Sequence, residues 1–138
     1  MKPETIAFLA KASELLKRAP ALLAQDFTDE AGRAAYLAGF HATQAFLFET
    51  LGRSPKTHNG VQTEFARLVR DEPKADREVR AFLGRTYNLK AIADYETGPG
   101  SKVTPQQAAE AIDAARHFVS AVIALIGNEP VDNSKPAV

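Results

Sequence analysis

Three groups of side chains in this sequence have types and spacings that can carry chemistry. The first is Arg33, His41 and Gln44 on the stretch Gly32 to Leu51. His41 can carry a proton or contact a phosphate, and Arg33 can hold an anion. Two helical turns separate them on nearly the same side, so one ligand reaches both only if it spans that gap. As plain structure, His41 is a satisfied core group and Arg33 a salt-bridge partner at a helix start. The second group is Arg53 and His58, five residues apart in the segment RSPKTHNG. Such a pair can cleave RNA without metal: the imidazole moves a proton at the ribose hydroxyl or leaving oxygen, and the guanidinium holds the phosphate. The simpler alternative, which the local sequence favours, is that Lys56, Thr57 and His58 shape a turn and cap the next helix. The third group is Arg85, Tyr87, Lys90, Asp94 and Tyr95. Lys90 with Arg85 and Tyr87 can bind a phosphate, and Tyr95 can stack on a base. Alternatively, Asp94 and Tyr95 close a helix end. Lys90 and Asp94 are one helical turn apart, with the basic residue first, which is the poorer order for a helix.

The element that must position the first group is Gly32 to Leu51. It has helical length, contains no proline, and after Arg33 its only charge is Glu49. Tyr36, Phe40, Thr43 and Leu47 share one face, and Leu37, His41, Gln44 and Phe48 form a second stripe beside it. Alanines and Gly39 fill most of the gaps. A helix that is apolar or small nearly all round must be covered by other helices.

Around it the chain reads as further helices. Pro3 to Arg18 forms the first, with Ile6, Leu9, Ser13 and Leu16 inward. Pro20 then opens a short second segment through Gln25, because proline cannot continue a helix without losing a hydrogen bond. Thr28 or Asp29 caps the central helix and Gly52 ends it. Thr57 or His58 precedes a short helix bearing Val61, Phe65, Leu68 and Val69. A fourth runs from about Ala75 to Asp94 with Val79, Leu83, Thr86, Leu89 and Ala93 inward and Arg80, Tyr87 and Asp94 together on another face. Glu96 to Lys102 has the glycines and proline of a flexible loop. Thr104 and Gln107 form a capping box around Pro105. The helix that follows repeats apolar residues from Ala108 through Ile126 at three and four. The expected fold is all-α, an up-and-down antiparallel bundle of four to five helices over residues 1–127, with a flexible tail over 128–138.

Composition narrows the classes. With 138 residues, a single domain is expected. Seventeen basic and seventeen acidic residues give no overall field for a polyanion or a membrane. There is no cysteine, which removes disulfide and thiolate chemistry. The three histidines, His41, His58 and His117, lack the close spacing of a metal motif, so neither a metal nor another cofactor is expected. Without a secretion signal or a spanning segment, the expectation is a soluble cytoplasmic protein that does not enter membranes.

The segments AGRAAYLAGFHATQAFLFETLG, SPKTHNGV and YNLKAIADYE, in this order, resemble the HEPN superfamily. They are most similar to a prokaryotic branch reading R-x-Y-Y-A-x-F-H-A, P-K-T-H-x-G and R-x-x-A-D-Y. The resemblance implies a helical bundle, a homodimer and a minimal nucleotidyltransferase as a partner in toxin–antitoxin or defence pairs. It also implies nucleotide or RNA binding, and in many members metal-independent endoribonuclease activity. The RNase motif of the superfamily is Arg, four to six residues, then His, often with Tyr two residues on. Here Lys90 stands where the branch usually has Arg, and Asp94-Tyr95 where the RNases have His-x-Tyr. An ordinary aspartate is ionised at neutral pH and donates no proton. His41 and His58 match branch positions, so with Arg53 they are the catalytic candidates. Arg33, Arg85, Tyr87, Lys90, Asp94 and Tyr95 are the binding candidates. The alternative is a non-catalytic dimeric helical module for protein interaction.

Overall fold

A computed structural model describes residues 1–98 and 102–127. The expected tail over 128–138 and the middle of the expected loop lie outside the described residues. The described chain folds as an all-α bundle of five helices: α1 (Pro3–Ala24), α2 (Thr28–Leu51), α3 (His58–Leu68), α4 (Arg77–Tyr95) and α5 (Pro105–Gly127). None of these helices is long and apolar enough to cross a membrane.

The helix rich in alanine becomes the centre, because it can be approached from several sides. α2 contacts all four other helices, and thirteen of its residues are buried. Tyr36, Phe40, Thr43 and Leu47 are all among them, as their spacing predicts. The second stripe is only half-buried at Leu37, His41, Gln44 and Phe48. Gly39 sets the approach of α4. A Cβ built there would stand 2.1 Å from Phe82 Cε2, so only glycine admits the Phe82 ring. That ring stacks on Phe118 of α5 at 4.5 Å, and Phe65 of α3 meets both Phe118 and Phe46 edge-on. Four helices thus share one column of aromatic rings, each worth about 1.5–3 kcal/mol when fully buried.

The ends are set by side chains. Thr57 Oγ1 accepts from the Gly60 amide at 2.9 Å and starts α3. Asp76 Oδ1 accepts from the Val79 amide at 2.8 Å and starts α4. Thr104 and Gln107 exchange reciprocal bonds at 2.9 and 3.1 Å before α5, as the capping box requires. All nine apolar positions expected inward on α5 are buried. Gly52 closes α2 in the left-handed region at φ 76°.

Several expectations need correction. α1 runs unbroken to Ala24 with Pro20 inside it, so there is no separate segment after the proline. The lost hydrogen bond is tolerated because the helix is held by packing on α2 and α5 rather than by its backbone alone. Ile6 and Ser13 are exposed; the buried face carries Thr5, Ala12 and Ala19, with Phe8, Leu9, Leu15 and Leu16 against the core. Small residues face α2 because α2 is itself lined with small residues, and the two helices lie close. Neither Thr28 nor Asp29 caps α2, which begins after Phe27 without a side-chain cap. Asp29 Oδ1 instead accepts from the Val103 amide at 2.7 Å and ties down the approach to α5. On α4, Phe82 joins the buried face and Ala93 is only half-buried. Arg80 does not join Tyr87 and Asp94: its guanidinium turns to the carbonyls of Ala75, Arg70 and Glu72.

Candidate functional site

Where α2, the start of α3 and the last turns of α4 meet, one histidine is enclosed by rings and charges. His58 is the first residue of α3. Its ring lies 4.4 Å from that of Phe40, 5.6 Å from that of Tyr36 and 5.5 Å from that of Tyr87. Its Nδ1 is 2.7 Å from the Tyr36 hydroxyl. Tyr36 is fully buried, and that burial pushes its hydroxyl up to about 12, with the Gln62 side chain working weakly the other way. The hydroxyl therefore keeps its proton. A buried O–H must find an acceptor, and His58 Nδ1 lies 2.7 Å away, nearer than any other hydrogen-bond partner of the hydroxyl among the described residues. With Tyr36 donating to Nδ1, the proton of the neutral imidazole stands on Nε2. That nitrogen has no hydrogen-bond partner among the described residues and remains a donor for a ligand.

The electrostatics keep His58 neutral. Burial holds its pKa below the usual 6.5, and the charges of Lys90 and Arg33 press the same way, as His41 does when protonated, while Asp94 opposes them. The charges form a chain: Arg33 Nε donates to Asp94 Oδ1 at 2.8 Å, and Lys90 Nζ donates to Asp94 Oδ2 at 2.6 Å. Lys90 is buried, at 8% exposure, and its ammonium lies 5.3 Å from the centre of the Tyr95 ring. The hydrogen bond from Lys90 holds the Asp94 carboxyl below the usual range, and the same bond raises the Lys90 ammonium. Two cations around one carboxylate leave a net positive corner beside the neutral imidazole. Tyr87 and Tyr95 present exposed rings at its edge. Cations and donors for phosphate beside rings for stacking are the elements of single-stranded nucleic-acid binding.

The sequence candidates divide. Arg33, His58, Tyr87, Lys90, Asp94 and Tyr95 come together. His41 stands across Phe40, 5.6 Å from that ring, with Nδ1 bonded to the Gln44 side chain at 2.7 Å. Burial lowers its pKa as well. It lines a hollow of about 430 Å³ with Lys11 and Arg18 of α1. Arg53 is exposed and makes no hydrogen bond or ion pair among the described residues. Arg85 lines a different groove, about 380 Å³ between α4 and α5, beside Glu78, Glu110 and Asp113. We place the site at His58 rather than in that groove, whose polar rim is open to solvent and mainly acidic. Tyr36 is the residue of this corner that spacing alone does not single out, since the same spacing marks it as core. Its signal was the hydroxyl: a tyrosine on a buried stripe needs a partner where a phenylalanine would not. Among the described residues, no group of three histidine, aspartate or glutamate side chains is placed to hold a metal ion.

The model of the HEPN domain matches residues 6–126, and the chain belongs to the HEPN family. A protein of Methanocaldococcus jannaschii described as a "Putative toxin" is 30% identical over 122 residues, covering 88% of each chain.

Proposed function

We propose that this chain is a toxin-like HEPN protein that binds single-stranded RNA at the His58 corner. The observation that carries the reading is the imidazole held at Nδ1 by Tyr36, neutral, with a donor at Nε2 and with Lys90 and Arg33 beside it. A phosphate oxygen accepts from Nε2–H and is drawn by the cations, while a base stacks on Tyr87 or Tyr95. The relative described as a "Putative toxin" supports a role in which this binding harms the cell unless a partner restrains it. A nucleotidyltransferase-type protein is the partner class we assign, and a homodimer the assembly. The test is binding of a fluorescent single-stranded RNA, with growth on induced expression as the cellular readout. His58→Ala and Lys90→Met each weaken binding at least tenfold and relieve the growth defect. Undiminished binding in both variants removes the corner from the function.

A second reading, metal-independent RNA cleavage, is favoured by one observation: the two imidazoles on either side of Phe40 are both held neutral. The His41 imidazole, whose Nδ1–H donates to Gln44 Oε1, has Nε2 free to take the proton from a ribose 2′-hydroxyl, which attacks the adjacent phosphorus and expels the 5′-oxygen; the imidazolium then gives that proton to the 5′-oxygen, while His58 Nε2–H holds the phosphate. Cleavage that persists in EDTA and is lost in His58→Ala supports this reading. Intact RNA after prolonged incubation leaves binding alone.

A further inference from the structure

The charged corner holds a carboxylate between two cations drawn from different helices. Asp94 reaches Arg33 of α2 through one oxygen and Lys90 of α4 through the other. Helix stability does not explain the arrangement. Lys90 precedes Asp94, the weaker order for an i,i+4 pair. Asp94 lies in the last turn of α4, at the negative end of the dipole, where a carboxylate is unfavourable. Lysine is seldom buried, yet the side chain of Lys90 is only 10% exposed. An ammonium so shielded attracts an anion more strongly than one in water.

A phosphate presents oxygens that accept from a guanidinium N–H and an ammonium as a carboxylate does. We propose that Arg33 and Lys90 form a phosphate-binding site that Asp94 fills as an internal ligand and vacates when a phosphate group arrives. The inference rests on the RNA-binding reading, which it deepens by naming the residue that opposes binding. Asp94 is next to the final residue of α4, and Glu96 beyond it is already extended, so the carboxylate can leave by rotation and fraying of one turn. A ligand without a formal negative charge cannot displace it. The occupied site thus selects phosphates over neutral polar groups and holds their affinity down.

The test is titration of inorganic phosphate, and separately of a single-stranded RNA oligonucleotide, into wild type, Asp94→Asn and Asp94→Asn/Lys90→Met. Asp94→Asn binds inorganic phosphate at least tenfold more tightly. Its RNA affinity also rises, with a logarithmic salt slope steeper by about 0.7, the site having one more net positive charge. The double variant loses both gains. An Asp94→Asn protein that binds phosphate no better than wild type overturns the proposal, and so does a gain that survives Lys90→Met. A phosphate gain with no RNA bound by any form sinks the RNA reading and leaves the anion site standing. Asp94→Ser replaces Asp94→Asn if the amide disturbs the helix end. Thermal melts at matched ionic strength provide a second measure: phosphate raises the midpoint of Asp94→Asn over chloride by more than it raises that of wild type. Equal midpoints in the two salts overturn the proposal.

Discussion

The two ends of α4 use the same residue types to opposite effect. At the first end, Asp76 caps the helix and meets His117 at 2.9 Å in the open, and Glu78 stands 4.0 Å from the same ring. Acidic groups lie where the helix dipole wants them. Arg80 donates to three loop carbonyls and fixes the turn from α3. At the last end, the acid sits at the wrong pole, the lysine is buried, and the histidine is wedged among rings. The first end is arranged as helix rules ask. The second departs from them, and such departures gather at functional sites. Charge count does not separate the ends; desolvation does.

The largest test of this contrast is Asp94→Ala. It leaves Lys90 shielded with no carboxylate, and should cost about 2 kcal/mol in urea unfolding, below the range for a fully buried pair because Asp94 still touches water. No change would mean that the second end is as slack as the first. Next comes Arg80→Ala, which frees three carbonyls to water and should cost about 1 kcal/mol while leaving the RNA binding proposed for the other end unchanged. Weakened binding there would break the division between the ends. The pH dependence of folding sharpens it further. His58 and His41 titrate below the usual 6.5 in the folded chain. The unfolded chain therefore takes up protons first as pH falls. Their contribution is complete above about pH 6.5 and is lost as pH drops through the lowered folded values. His58→Asn should flatten that slope in melts between pH 7 and pH 5, and an unaltered slope would locate the effect elsewhere. The smallest change belongs to His117→Ala, within about 0.5 kcal/mol by urea unfolding, as for most exposed sites.

The legible parts of this fold were those set by local periodicity. The nine inward positions of α5, the capping box before it and the buried stripe of α2 follow from spacing and side-chain type. The inward face of α1 follows only in part: Leu9 and Leu16 pack against the core as their spacing predicts, but Ile6 and Ser13 are exposed while Thr5 and Ala12 are buried, because the close approach of α2 favours small residues. Pro20 misled for a related reason: neighbouring helices override a local penalty. Within the site, His58, Lys90, Asp94 and Tyr95 stood out by chemistry, and the resemblance to HEPN proteins drew attention to the same segments. The link from Arg33 to Asp94 crosses 61 residues and has no local trace. Neither does the turn of Arg85 into a separate groove, which depends on how α4 rolls against α5. Arg53 lies near His58 along the chain, yet the charges that bear on His58 come from α2 and α4.

Gly39 bears on more than core density. The Phe82 ring occupies the space its missing side chain leaves, and eight residues further along the same rod stands Lys90. A methyl group at position 39 would wedge the two rods apart and carry the ammonium away from the imidazole without touching either. Gly39→Ala is thus expected to give a chain that folds when cool and whose α2–α4 seam loosens on warming at a lower temperature than in wild type, as thermal melts would show.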